Sequence, residues 1–287
     1  MLSMNILYAV MAFAMAMVLA MVVIPRLLII AKKHSLYDPH DRRKTHTGQV
    51  PRIGGVSFVP CILFAMMLTF SVFYLFEDPN GGEWPSPIIP EFFLFASGLL
   101  LLYLGGIKDD LVGMQYHNKF AIQLISSLFI VFSGLNISNL HGLFGIYEVA
   151  PWIGLPLTVL ALLFIINAIN LIDGIDGLAS GISLFALCVY GSVFLQQGLW
   201  YYAVLAFSTV GVLVPFFYYN VFGSARRGRK LFMGDSGSMI LGLIIGFLAI
   251  RYISYMPEFT GVGHRSSVIA LSPVLIPMLD VIRVMLH

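Results

Sequence analysis

Long apolar runs separated by short polar breaks make up almost the whole chain. A membrane span needs about twenty apolar residues. On that measure nine runs qualify, over roughly 4–30, 53–76, 92–107, 119–138, 152–171, 178–197, 199–222, 237–256 and 267–287. The pattern predicts an all-α polytopic integral membrane protein, with about nine transmembrane helices in one domain over residues 1–287. The first run has no Lys or Arg before Arg26 and continues straight into a basic loop, which reads as a retained anchor and not a removable signal peptide. Of the breaks, 77–91 is a turn-rich loop, Glu-Asp-Pro-Asn-Gly-Gly-Glu-Trp-Pro at its start. Residues 139–151 alternate Leu140, Leu143, Ile146 and Val149 around Gly142 and Gly145, a short hairpin; His141 and His264 on that side read as solvated.

Composition agrees with the pattern. Apolar residues are 59% of the 287 and charged residues 10%, against about 45–50% and 25% in soluble domains, so no soluble domain has room here. Cys61 and Cys188 lie in apolar runs and read as small core residues, with no disulfide or zinc framework. The net charge of +2 decides nothing, but its distribution does. Lys32, Lys33, Arg42, Arg43, Lys44 and Arg52 crowd one loop, Lys108 and Lys119 a second, and Arg226, Arg227, Arg229 and Lys230 a third. The positive-inside rule puts these loops in the cytoplasm and the N-terminus outside. The acids sort as well. Glu77, Glu83, Glu91, Glu148 and Glu258 fall on the outer side with Asp78, whereas Asp38, Asp41, Asp109, Asp110, Asp173, Asp176, Asp235 and Asp280 fall at or near cytoplasmic ends. A one-sided set of short carboxylates suits a hard divalent cation and its phosphate ligand. The plainer account of any single member is that Asp favours caps and turns.

The densest chemistry is Asn170-Leu171-Ile172-Asp173-Gly174-Ile175-Asp176-Gly177, with Asn167 one turn earlier. An Asp inside hydrocarbon costs about 2.5–3.5 kcal/mol even on insertion scales, so these carboxylates belong at a membrane face or in a wet cavity. Asn170, Asp173 and Asp176 recur every three residues and share one side of any helical continuation, and Asp176 is placed to cap the sixth span. Phe232-Met233-Gly234-Asp235-Ser236-Gly237-Ser238 repeats the idea at the mouth of the eighth span. Asp109-Asp110 closes the third span, where a frayed end lets both reach one cavity to share a charge or hold a metal. Acids at a helix C-terminus are electrostatically misplaced. The second, fourth, sixth and eighth spans begin on the cytoplasmic face, and their N-termini favour phosphate there. Gly54-Gly55, Gly174 with Gly177, and Gly234 with Gly237 let a ligand near the backbone, or serve only to pack helices closely. Neither a P-loop nor an EF-hand is present.

Taken together, Asn-Ala-x-Asn-Leu-x-Asp-Gly-x-Asp-Gly-Leu-Ala at 167–179 resembles the signature of the polyprenyl-phosphate N-acetylhexosamine-1-phosphate transferases, bacterial integral membrane enzymes of glycosyltransferase family 4. His46 through Pro51-Arg52-x-Gly54-Gly55, Gly106-x-x-Asp109-Asp110 with Lys119 and Gln123, Phe232-Met233-Gly234-Asp235-x-Gly237-Ser238, and Ile276-Pro277-x-x-Asp280 match in order. The resemblance implies transfer of a sugar 1-phosphate from a UDP-sugar to a polyprenyl (undecaprenyl) phosphate with release of UMP. It also implies dependence on Mg2+, with Mn2+ as a substitute, and a multi-pass protein of the bacterial inner membrane whose active site faces the cytoplasm. Its partners are then the UDP-sugar, the lipid phosphate, membrane lipids and a second copy in a homodimer, and no nucleic acid. By the same resemblance Asp235, Asn170 and Asp110 hold the metal, Asp109 is the candidate base with Asp110 beside it, and Lys44, His46, Lys119, Asn167, Asp173, Asp176 and Asn220 position nucleotide or diphosphate. The His-x-x-x-x-Pro-Arg-x-Gly-Gly loop resembles the branch using UDP-N-acetylglucosamine more than the phospho-N-acetylmuramoyl-pentapeptide branch.

One departure stands out. Family members continue past the Asp280 span into a His-rich loop and further spans, and no such cluster exists among the seven histidines here, so a C-terminally truncated chain is expected. Two readings of other classes compete: a cation-coupled transporter, whose carboxylates would lie near the midplane in two repeated halves, and a membrane subunit without activity.

Overall fold

The computed structural model describes residues 2–34, 36, 50–76, 88–143, 145–255, 272–275, 277–280 and 283. Among these residues eight long helices carry the fold: α1 (Leu2–Lys33), α2 (Phe58–Phe76, entered through a short 3-10 turn at Gly54–Ser57), α3 (Ile88–Val112), α4 (Tyr116–Phe132), α5 (Pro151–Ile172), α6 (Leu178–Gln196), α7 (Trp200–Phe217) and α8 (Gly234–Tyr255). Seven of them are long and apolar enough to cross a membrane. The exception, α4, has 17 residues and buries a polar face of Gln123, Ser126 and Ser127. The chain is thus an all-α polytopic membrane protein. The run expected at 267–287 is described only in the helical pieces 272–275 and 277–280 and at Arg283, which pairs with Asp280 at 2.7 Å.

Helix α8 is the axis. It is apolar on every side, and residues 239–250 are buried throughout, as expected of a helix with no solvated or lipid-facing stripe. α3, α5 and α6 pack around it. Gly242 makes the α5 contact close, since a Cβ there would lie 2.5 Å from the Ile166 Cα. The other main seam joins α1 to α7. Along α1 the buried positions Ala12, Ala16, Ala20, Ile24, Leu28 and Ala31 return every three or four residues and form a smooth ridge. The far side of α1 keeps Leu7, Val10, Val18, Met21 and Ile29 exposed, as a lipid-facing surface requires.

At the end opposite the acidic motifs, β1 (Asn139–Leu143) and β2 (Ile146–Glu148) form the expected antiparallel hairpin. His141 is not solvated as expected: it is 4% exposed, and its Nε2 lies 2.9 Å from the Ile253 carbonyl at the end of α8. A helix end leaves carbonyls without intrahelical partners, and His141 supplies one donor; Ser254 answers by donating to the Asn136 carbonyl at 2.9 Å. At the same end Glu91 and Arg251 meet although 160 residues separate them in sequence. Tyr202 donates to the Glu91 Oε1 at 2.8 Å, the Arg251 Nε lies 3.7 Å from that oxygen, and the guanidinium covers the Tyr202 ring at 5.2 Å. This buried group ties the first turns of α3 and α7 to the last turns of α8.

Candidate active site

The last turn of α3, the first turn of α4, the last turn of α5 and the first turn of α8 end together. Each brings the polar residues of one sequence motif. Lys119 places its Nζ 2.5 Å from the Asp235 Oδ1 and 3.1 Å from the Asp109 Oδ2, so one ammonium bridges two carboxylates. Asn170 donates from Nδ2 to the same Asp235 oxygen at 2.6 Å and to the Ser238 Oγ at 2.7 Å. In this arrangement Asn170 orients Asp235, and Ser238, one turn along α8, holds Asn170.

Asp110 has a different task. Its two oxygens accept the backbone N–H groups of Asp235 at 2.7 Å and of Ser236 at 3.0 Å. It therefore caps α8 from another helix, satisfying two of the donors that every helix N-terminus leaves open. The expectation of a frayed α3 end is corrected: the helix continues through Asp109 and Asp110 to Val112. The adjacent carboxylates do not pool their charge, because one meets an ammonium and the other a helix N-terminus. What looked misplaced at the C-terminus of α3 is well placed at the N-terminus of α8.

Asp173 caps the end of α5 in backbone terms and begins the turn to α6. Burial, reinforced by the charges of Asp235 and Asp110, pushes its carboxyl well above the ordinary carboxylate range, and Arg52 offsets part of that. Asp176 does not cap α6; Gly177 occupies the N-cap at φ 77° with no side-chain cap, while Asp176 pairs with Lys230. Asn220 lies in a π-helical turn, Tyr218–Phe222, that extends α7. It is 5% exposed, accepts the Gly177 N–H on Oδ1 at 2.7 Å and donates from Nδ2 to the Leu231 carbonyl at 2.9 Å. Both ends of its amide are engaged, so Asn220 joins the Asp173–Gly177 turn to the segment that leads into α8. Asn167 stands one turn up α5 and exchanges amide hydrogen bonds with Gln123 of α4 at 2.9 and 3.4 Å.

The glycines mostly pack. Gly55 faces Gly237, where an added Cβ would lie 2.1 Å from the Gly237 nitrogen, and Gly106 faces Ser236 at 2.4 Å. The Gly54 and Gly55 N–H groups donate to the Phe232 and Met233 carbonyls at 3.0 and 2.8 Å. Gly234 adopts φ +76°, and a side chain there would strike the Arg52 carbonyl and the Asp110 carboxylate. Gly174 differs: the nearest atom to its added Cβ is the Leu171 carbonyl oxygen at 3.9 Å, so the backbone there is open to a ligand.

Of the residues expected in the site, Asp109, Asp110, Lys119, Asn170, Asp173 and Asp235 gather in one cluster. Asp176 and Asn220 adjoin it, and Asn167 lies one helical turn away. Lys44 and His46 lie outside the described residues. Ser238, Gln123 and Lys230 enter through structure. Gln123 and Ser238 sit inside matched motifs but carry no charge, and Lys230 is indistinguishable in sequence from the three arginines beside it.

The sequence profile of glycosyl transferase family 4 matches residues 92–253, from α3 to the end of α8, and takes in every described member of the cluster. The chain belongs to this family. Its similar relatives include undecaprenyl-phosphate alpha-N-acetylglucosaminyl 1-phosphate transferases from Yersinia pestis, 29% identical over 89% of this chain and 65% of the relative, and from Escherichia coli strain K12, 30% identical over 89% and 64%. A protein named probable undecaprenyl-phosphate N-acetylglucosaminyl 1-phosphate transferase from Bacillus subtilis is 31% identical over 84% of this chain and 62% of its own length. The chain therefore spans a little under two thirds of the length of these relatives.

Proposed function

We propose that this family 4 chain transfers N-acetylglucosamine 1-phosphate from its UDP-sugar to undecaprenyl phosphate, releasing UMP, at the cytoplasmic side of a bacterial inner membrane. The observation that carries the reading is the meeting of Asp109, Lys119, Asn170 and Asp235 at the ends of four apolar helices. The names of the similar relatives add the sugar and the lipid.

The chemistry joins an oxygen of the lipid phosphate to the β-phosphorus of the sugar nucleotide and breaks the bond to the α-phosphate oxygen. Phosphoryl transfer asks mainly for positioning and charge stabilisation. Lys119 is placed to meet phosphate oxygens, and the exposed backbone at Gly174 admits them. Asp109, 3.1 Å from the Lys119 ammonium, is the second carboxylate of the site. Asp173 and Asp176 line the turn on the nucleotide side. The donor set suits Mg2+: hard oxygens only, converging on Asp235 and Asp109. Among the described residues no three His, Cys, Asp or Glu side chains group to hold a metal ion; Mg2+ ordinarily takes one or two carboxylates and completes its shell with substrate phosphate and water. Bound there, the ion would neutralise the diphosphate. Asn170 and Ser238 would hold Asp235 in place for it, and Asp110 would fix the helix that carries Asp235.

The test is UMP release by the purified chain in detergent, given undecaprenyl phosphate and either UDP-N-acetylglucosamine or UDP-N-acetylmuramoyl-pentapeptide, with and without Mg2+. Release with the first donor, dependent on lipid and metal and lost in Asp235→Asn, is the expected result. Release only with the muramoyl donor would move the chain to the other branch. No release with either, from this chain and from one extended to the length of its relatives, would sink the transferase reading.

A further inference from the structure

Lys119 occupies an odd position for a lysine. It lies in the first turn of α4, whose N-cap residue Gln115 makes no side-chain capping bond. A cation there faces the positive end of the helix dipole, which disfavours it. Its own helix therefore does not hold the ammonium. The carboxylates of Asp235 and Asp109 do, at 2.5 and 3.1 Å, from two other helices. Two carboxylates share this one ammonium, and Arg52 adds a further positive charge felt by Asp235. An ammonium on a flexible four-carbon stem is a compact point charge that can leave such a position without disturbing the backbone.

Resting on the cation site proposed above, we infer that Lys119 is a displaceable counter-ion. It holds Asp109 and Asp235 together while no divalent ion is present, and it yields both carboxylates when one arrives. The released ammonium remains on the same face, free to meet the phosphate that accompanies the ion. In this role Lys119 weakens cation binding in the resting protein and couples the arrival of the cation to the exposure of a phosphate-binding group. A fixed structural ion pair would do the opposite, since removing it would splay the carboxylates and weaken the cation.

The two cases differ in sign, and catalysis is not needed to tell them apart. Mn2+ affinity of the full chain in detergent, without substrate, is read from the electron paramagnetic resonance signal of free Mn2+. It is compared among the unchanged chain, Lys119→Met and Lys119→Gln, the second variant guarding against a folding defect in the first. The expected result is binding about tenfold tighter in both variants, the order of effect that a like charge within about 4–6 Å exerts on a second one. Affinity unchanged or weaker in both would overturn the inference while leaving the cation site in place. Mn2+ binding to none of the three chains would remove the cation site itself, and the inference with it.

Discussion

At the scale of single residues, two neighbouring carboxylates differ in what their removal should do. Asp110 accepts two backbone N–H groups of α8. Asp110→Ala leaves those donors buried and unmatched, at about 1–3 kcal/mol. Thermal unfolding in detergent should show that loss with substrate and metal absent. Asp235→Asn keeps the shape of its side chain and should unfold close to the unchanged protein, while turnover falls roughly a hundredfold or more. Asp173 carries a pH dependence of its own. Its folded carboxyl titrates above the unfolded value of about 3.9, so the folded state binds the proton more tightly than the unfolded state does. Stability contributed at this position is then full at acid pH and falls as pH rises from the unfolded value through the folded one. Asp173→Asn should therefore unfold at a higher temperature than the unchanged, metal-free protein at neutral pH. That advantage should vanish near pH 4. An advantage that persisted at pH 4 would show that the charge on Asp173 is not its cause.

At the scale of helices, the two ends of α8 are secured by different means. One end is capped by Asp110 of α3; the other is held by His141 of the hairpin and by the Glu91–Tyr202–Arg251 group. Removing one partner of a buried ion pair leaves the other charge uncompensated, at about 3–5 kcal/mol. Arg251→Met should lower stability by that order, and Glu91→Gln in the same chain should recover part of it, as a double-mutant unfolding cycle would show. The helices themselves were legible, because a run of about twenty apolar residues has few alternatives. So were the residues that meet at their ends, since Asp109, Asp173 and Asp235 stand where hydrocarbon would not tolerate them. The wiring between them was not. Asp110 finds its partners 125 residues away, and neither charge pattern nor period carries that separation. Asn220 entered by resemblance alone, and its hydrogen bonds to the Gly177 N–H and the Leu231 carbonyl, set by a π turn, leave no mark in its neighbours. The glycines of the motifs left phosphate approach and close packing both open, and Gly55 and Gly237 answer to packing against each other.

For the molecule as a whole, the basic loops predict its orientation, and two exposed positions test it. Tyr147 lies on the hairpin and Arg226 in the loop before α8. With Cys188 replaced by Ser, a cysteine at 147 should react with a membrane-impermeant maleimide in intact cells, and one at 226 only after permeabilisation. The opposite pattern would invert the topology and with it the side of the reaction. The seam between α1 and α7 bears on how the protein is made. α1 ends at Lys33 and its main partner begins at Trp200. At about 5–20 residues per second, the first helix waits in the bilayer for roughly ten to thirty seconds with its alanine ridge against lipid. The ridge carries no polar group that would need a partner during that interval, so early insertion and late docking place no conflicting demand on the same surface.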